Sequence, residues 1–222
     1  MLQAPLKNSI LSRLSADDFQ LLAQHLEPID LPVLKFLERR GKVISTIYFP
    51  ESGFVSVVAD GKRPVEVGLI GREGMTGLPV VLGHDRNAND VFVQASGYGH
   101  GLRASELRKA IEKSGTLHKA LLRYVHSFLQ QTTLTAVANA RLSIEERLAR
   151  WLLMADDRIE GRELRLTHEL LAMMLAVRRP GVTEALQKLE RASAIAAKRG
   201  CIVILDRAVL EQMAAGVYVS VE

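Results

Sequence analysis

The sequence predicts an α+β protein: an antiparallel, jelly-roll-like β roll at the amino-terminal end, a long central helix, and a winged helix-turn-helix at the carboxyl-terminal end. Three observations predict this fold. Short apolar runs cut by glycines fill residues 29–102, a proline-free helical period starts near residue 116, and two short helical patterns followed by a basic hairpin occupy residues 164–205. The domain boundaries that we expect are 1–114, 115–140 and 141–222.

Composition excludes several classes of protein. The 222 residues are 48% hydrophobic and 24% charged, the proportions of an ordinary globular protein. No apolar run approaches the roughly 18–20 residues that span a bilayer, and the first residues lack the pattern of a signal peptide, so we expect a cytoplasmic protein with no membrane partner. The single cysteine, Cys201, excludes an internal disulfide and a cysteine-rich zinc site. The net charge of +4 permits an anionic partner.

The amino-terminal part predicts a short helical lead followed by the β roll. In residues 1–27, Ser15 is placed to cap a helix whose first turn carries Asp17 and Asp18. The β segments that follow are Ile44–Phe49, Phe54–Ala59, Val65–Ile70 and Val91–Gln94. Asp60-Gly61 favours a hairpin between the second and the third segment. Short β-branched segments with regularly spaced turn signals are typical of a barrel or a double-sheet roll.

The stretch from Thr116 to Met154 predicts the central helix and carries two apolar stripes. The first stripe consists of Leu117, Leu121, Tyr124 and Phe128. The second, with heptad-like spacing, consists of Leu122, Val125, Leu129, Thr132, Ala136 and Asn139. We expect the first stripe to pack on the roll and the second to form a homodimer interface, because small and polar residues in a seam permit close approach. The alternative is a helix buried inside a monomer.

Residues 164–189 contain two helical patterns joined by a tight turn. Thr167 is placed to cap the first helix, and Pro180 is tolerated only in the first turn of the second. This arrangement predicts a helix-turn-helix, whose second helix enters the major groove of DNA with its amino end first. Residues 195–205 then form two short β segments around a basic turn, which predicts a hairpin wing.

Positive charge is concentrated on this carboxyl-terminal motif. Residues 178–207 carry a charge of +4, which equals the net charge of the whole chain. An arginine that donates two bonds to guanine contributes about 1–3 kcal/mol of discrimination, whereas lysine serves as a phosphate anchor. The residues that we expect to contact DNA are Thr167, Arg178, Arg179, Pro180, Thr183, Glu184, Lys188, Lys198 and Arg199. The alternative is a pair of packed helices with solvated arginines.

These patterns resemble the Crp/Fnr superfamily of bacterial transcription regulators over nearly the whole chain. The most specific segments are Gly71–Gly77, Glu145–Met154 and Val177–Thr183. The resemblance implies a dimeric, non-enzymatic regulator that binds a roughly palindromic site on double-stranded DNA and acts with RNA polymerase. It assigns a cyclic-nucleotide-binding-like sensor roll, a dimerisation helix and a DNA-binding domain to the three regions above. Arg179 matches the base-reading arginine of the family.

The sequence departs from the family pattern at several positions. Ala176 stands where the turn usually has glycine, and Pro180 replaces a glutamate that many members use on bases. Members that bind cyclic nucleotides hold the phosphate with a Gly-Glu turn and an Arg-Ser pair, but here Leu78 follows Gly77 and Asn89-Asp90 replaces the pair. We therefore expect no cofactor and no binding of cyclic AMP in the usual way. The candidate effector-binding residues are Gly77, Arg86, Thr132 and Thr133.

Two other functions are open to the sequence. A metal-dependent cupin-type enzyme with a helical carboxyl-terminal domain needs His84 and His100 to meet across the barrel, but no compact ligand spacing occurs, and we expect no metal site. A nucleotide-sensing module that acts on a protein partner leaves Arg178, Arg179 and the basic wing unexplained.

Overall fold

The structure is a computed structural model that describes residues 6–59, 61, 64–161, 163–214 and 216–220. The chain divides into two compact units, of which the first is Met1–Val57 with Ile70–Gln130 and the second is Val58–Leu69 with Gln131–Glu222. None of the helices in the described ranges is long and apolar enough to span a membrane. The domain boundaries expected from the sequence stay a prediction.

The amino-terminal elements are α1 (Ser9–Ser12), α2 (Ala16–Ala23), β1 (Glu27–Leu31), β2 (Phe36–Glu38), β3 (Thr46–Pro50), β4 (Phe54–Ala59), β5 (Val65–Ile70), α3 (Leu78–Val81), β6 (Asp90–Ala95), β7 (Gly97–Arg103), α4 (Ala104–Lys113) and α5 (Gly115–Arg141). The four β segments named from the sequence correspond to β3, β4, β5 and β6 with small shifts in their bounds, whereas β1, β2, α3 and β7 were not predicted. The Ser15 hydroxyl accepts a hydrogen bond from the Asp18 backbone N–H at 3.2 Å and so begins α2. The helical lead is shorter than predicted, because β1 already starts at Glu27 and pairs with β7.

Two antiparallel sheets confirm the predicted α+β fold with its β roll. One sheet has the strand order β1-β7-β3 and the other has the order β2-β6-β4-β5. Gly99 lies in the centre of the first sheet, where an added Cβ would lie 2.3 Å from the Phe49 carbonyl oxygen, so only glycine fits there. The division between the two units falls within the β4–β5 hairpin. Asp60, predicted at its turn, lies outside the described residues.

An apolar core lies in the first unit. It combines side chains from β3 and β7 with α1, α2, α3, α4 and the first half of α5. Leu117 and Leu121 are fully buried there, and Tyr124 packs against them, as expected for the first stripe of the helix. Val125 belongs to the same core with 4% exposure, although the sequence assigned it to the second stripe.

The helical period predicted to run to Met154 is interrupted near Ser143. α5 ends at Arg141, and α6 spans Ile144–Asp156. Ser143 and Glu146 form a capping box: the Ser143 N–H donates to the Glu146 carboxylate at 2.7 Å, and the Glu146 N–H donates to the Ser143 hydroxyl at 3.4 Å. The remaining elements are β8 (Glu163–Leu164), α7 (His168–Met174), α8 (Arg179–Arg191), β9 (Ile195–Lys198), β10 (Cys201–Ile204) and α9 (Arg207–Met213).

Inside the second unit, β5 is hydrogen-bonded to α5 and α6. The side chain of Gln131 accepts from the Leu69 N–H at 2.6 Å and donates to the Leu69 carbonyl at 3.1 Å. The Trp151 indole donates to a Glu66 carboxylate oxygen at 2.6 Å. These contacts explain why residues 58–69 form one compact unit with the carboxyl-terminal elements.

Candidate nucleic-acid interface

α7, the turn after it and α8 form the helix-turn-helix that the sequence predicts. The Thr167 hydroxyl accepts from the Leu170 N–H at 3.2 Å and caps α7. The turn contains Ala176 with a positive φ of 52°, a left-handed conformation that costs an alanine roughly 1–2 kcal/mol. Arg178 stands at the N-cap of α8, and Pro180 lies in the first turn, where its missing N–H leaves no bond unmade.

Each face of α8 has a distinct role. The side chains of Val182, Ala185, Leu186 and Leu189 are buried against the rest of the second unit. Arg147 of α6 donates a hydrogen bond to the Leu175 carbonyl at the end of α7, which holds the turn against α6. Burial lowers the pKa of this guanidinium. The opposite face of α8 is left to solvent.

The polar face of α8 carries the residues that we expect to contact DNA. Arg178, Arg179, Pro180, Glu184 and Lys188 are exposed, and Thr183 is half-buried. Arg179 forms an ion pair of 2.8 Å with Glu169 of α7, in which the two side chains are 65% and 63% exposed. An ion pair this exposed contributes about 0–1 kcal/mol, so Arg179 exchanges partners at little cost.

Two further contacts on this face were not predicted from the sequence. The Thr183 hydroxyl lies 3.2 Å from His168 Nδ1, and Lys188 Nζ pairs with a Glu145 carboxylate oxygen at 2.7 Å. The hydrogen bond from the lysine lowers the pKa of Glu145. The sequence carried no signal for these pairs, because the partners are 15 and 43 residues apart.

The wing follows α8 directly and is held by contacts with β8 and with α8. β9 and β10 pair antiparallel, with Cys201 opposite Lys198, and β8 adds a third strand beside β10. The Ala197 N–H donates to a Glu190 carboxylate oxygen at 2.9 Å, which ties the wing to the last turn of α8. Gly200 has a φ of +72° at the tip. Lys198 and Arg199 beside it are exposed, so both basic side chains are accessible to a phosphate-bearing partner.

The residues of the predicted dimer seam on α5 differ in their exposure. Leu122 and Leu129 are exposed at 38% and 55%, as an interface residue requires before pairing, and Ala136 and Asn139 are also exposed. Thr132 is half-buried. Val125 lies in the core of the first unit because, at 3.6 residues per turn, it shares a face of α5 with the buried Leu121 and Phe128. The exposed positions that repeat at 4-3-4-3-4 spacing are Leu122, His126, Leu129, Thr133, Ala136 and Ala140.

The candidate effector residues have varied surroundings. Gly77, with a φ of +74°, donates its N–H to a Glu38 carboxylate oxygen at 2.6 Å. Arg86 is exposed and donates to the Gly41 carbonyl at 2.7 Å. Thr132 and Thr133 lie on α5, half-buried and exposed respectively. Their assignment to an effector stays a prediction.

The histidines named for the cupin alternative are placed differently from one another. His84 is exposed, whereas His100 lies on β7 with its Nδ1 3.3 Å from a Glu51 carboxylate oxygen. Within the described residues, histidine, cysteine and carboxylate side chains form no group of three or more suited to a metal ion.

The fold is that of the Crp/Fnr transcription regulators. A regulator of this family from Eubacterium rectale is similar with a TM-score of 0.73 at 16% identity, over 93% of this chain and 98% of that one. A CRP-family regulator from Thermus thermophilus is similar with a TM-score of 0.71 at 20% identity, over 88% of this chain and 98% of that one. The c-di-GMP-responsive global regulator CLP of Xanthomonas campestris is similar with a TM-score of 0.68 at 20% identity, over 86% of this chain and 100% of that one. At these identities the likeness establishes the fold.

The carboxyl-terminal part is assigned more closely. Residues 146–213 match the family model of the Crp-like helix-turn-helix domain. The match spans α6 to α9 and therefore includes the helix-turn-helix and the wing. No curated protein sequence is significantly similar to the chain. The resemblance predicted from the sequence is confirmed.

Proposed function

We propose that this protein is a DNA-binding transcription regulator of the Crp/Fnr type and not an enzyme. The observation that carries the proposal is α8 of the Crp-like helix-turn-helix domain, which buries an apolar face and presents Arg178, Arg179 and Lys188 to solvent. A recognition helix needs both faces, one to hold its position and one to contact base edges and phosphates. With DNA as the partner, the protein acts in the cytoplasm, and RNA polymerase is the second partner expected of a regulator.

The chemistry of recognition follows from the positions along α8. Its amino end enters the major groove first, so Arg178, Arg179 and Thr183 face base edges. Arg179 leaves Glu169 and donates two hydrogen bonds to guanine O6 and N7. Lys188, with Lys198 and Arg199 of the wing, neutralises phosphates, which makes the affinity fall steeply as salt rises.

We further propose a homodimer in which α5 pairs with α5 of a second copy. The exposed Leu122 and Leu129 supply the apolar contacts, and the small Ala136 permits close approach. Two copies place two recognition helices roughly 34 Å apart on a roughly palindromic site. The roll acts on the DNA-binding domain only through a ligand that favours one arrangement of this helix over another. Cyclic AMP is not expected to be that ligand.

The experiment is a selection of bound DNA from random duplex oligonucleotides, followed by affinity measurements on the selected site. Arg179→Ala is expected to lose about 1–3 kcal/mol of discrimination at one base pair of each half-site. Lys198→Ala is expected to weaken binding evenly across sequences and to reduce the slope of log affinity against log salt by about 1.

Lys113→Ala removes an exposed positive charge from the first unit and is the matched control, with affinity and salt slope unchanged. A protein that retains no duplex from the pool at low salt contradicts the proposed function. An Arg179→Ala variant that loses affinity with unchanged base preference contradicts only the role of that arginine.

A further inference from the structure

The interior of the β roll contains a carboxylate that the proposed function does not use. Glu38, the last residue of β2, is 5% exposed. A buried charge is expensive unless it is paired or fully hydrogen-bonded, so the groups around Glu38 must supply that compensation. No arginine, lysine or histidine is an ion-pair partner of Glu38 among the described residues.

Two donors from different segments converge on this carboxylate. The Gly77 backbone N–H donates to one oxygen at 2.6 Å, and the Asn87 side-chain amide donates to the other at 2.6 Å. Short bonds to both oxygens are the pattern of a charge-assisted site, in which neutral donors hold an anion.

The donor set is itself held in place by the fold. Gly77 takes a left-handed conformation, and a Cβ there would lie 2.1 Å from Ile47 Cδ1. The Asn87 amide is oriented because its oxygen accepts from the Asn89 N–H at 3.0 Å, which leaves the NH₂ group to face Glu38. The site is therefore organised by contacts other than those of Glu38.

We propose that Gly77 and Asn87 form a carboxylate-binding site that the protein fills with its own Glu38. Glu38 acts as an internal ligand that joins β2, the turn at residues 76–77 and the loop before β6. An external anion does not enter while Glu38 is in place, since both oxygen positions are taken. Burial raises the pKa of Glu38, which agrees with a carboxylate held by neutral donors rather than by a cation. This inference does not depend on DNA binding.

The test is chemical rescue with acetate in the full-length protein. Glu38→Ala leaves the two donors facing an empty space, so we expect the Tm to fall by roughly 5–10 °C. Sodium acetate is expected to restore part of this loss in a saturable way, compared with sodium chloride at equal ionic strength. The native chain measures the general effect of acetate on stability, and only a gain of the variant beyond that effect counts as rescue.

The double variant Glu38→Ala with Asn87→Ala lacks the amide donor and is the matched control, in which rescue by acetate is expected to disappear. Glu38→Gln covers the case in which Glu38→Ala does not fold. Its carbonyl oxygen still accepts from Gly77, but its NH₂ group opposes the NH₂ group of Asn87, so we expect a lower Tm without an acetate response. The proposal is overturned by a folded Glu38→Ala variant that acetate, relative to chloride, stabilises no more than it stabilises the native chain, or by a Glu38→Gln variant as stable as the native chain.

Discussion

Asn8 in the β roll and Arg179 in the helix-turn-helix place their polar groups in opposite ways. Asn8, fully buried, donates to the carbonyls of Pro50 and Gly74 and accepts from two N–H groups of α1. Arg179 on α8 is exposed and has an exposed acidic partner, Glu169. Saturated interior groups hold a fold together, whereas exposed and weakly paired groups are free to bind something else.

Two left-handed positions, one in each region, differ in backbone strain, although Leu34 of the roll also has a positive φ, of 66°. In the roll, the left-handed position at Gly77 is occupied by a residue that adopts it without cost. In the helix-turn-helix, the equivalent need is met by Ala176, which has a side chain. The helix-turn-helix therefore contains a strained turn directly before α8. A residue that relieves this strain should raise the stability of the domain.

The largest effect is expected from the buried face of α8. Leu186→Ala removes a side chain that is 2% exposed and should lower the free energy of unfolding by about 2–5 kcal/mol. Chemical denaturation followed by circular dichroism measures the loss. Gln187→Ala, on the neighbouring exposed position, serves as the control with a change within about 0.5 kcal/mol. Equal losses in the two variants would contradict the assignment of the faces.

A smaller effect is expected in the roll, at the acidic residue that joins α2 to α5. Asp18 accepts hydrogen bonds from Ser114 and Thr116, and these bonds lower its pKa below the usual 3.8. A carboxyl group with a lowered pKa in the folded state stabilises the fold above its unfolded pKa, and this contribution is lost as the pH falls through the folded pKa. Ser114→Ala should therefore destabilise the protein at neutral pH by about 1–2 kcal/mol and by less in strong acid.

Denaturation curves of Ser114→Ala at neutral pH and well below pH 3.8 measure this difference. Ser127→Ala is the control, because that hydroxyl donates to the Arg123 carbonyl and not to a carboxylate. The control should lose the same small amount at both pH values. A Ser114→Ala deficit that is independent of pH would show that the hydrogen bond to Asp18 is not the source of the stability.

The smallest effect is a gain, and it sharpens the contrast in backbone strain. Ala176→Gly should raise the free energy of unfolding by about 1 kcal/mol and the Tm by roughly 2–4 °C, because glycine adopts a positive φ without the clash of a Cβ. Ala172→Gly, inside α7, should instead cost about 1 kcal/mol. Differential scanning calorimetry compares the two. A loss in both variants would mean that the turn at Ala176 is not strained.

Several local features of the structure were predictable from the sequence alone. Two predicted strands agree with β4 and β5 at both ends, and the caps at Ser15 and Thr167 are where the sequence places them. The first turn of α8 at Pro180 was equally readable. These features depend on residues a few positions apart, through periodicity, side-chain capping and the fixed φ of proline.

Tertiary structure alone decided which side chains meet. It turned Val125 into the core of the roll, paired Arg179 with Glu169, and placed Gly77 and Asn87 around Glu38. The partners of Glu38 lie 39 and 49 residues away along the chain, and no spacing rule links such positions. The physical reason is that burial and pairing depend on distances across the folded chain, whereas periodicity reports only which way neighbouring side chains point.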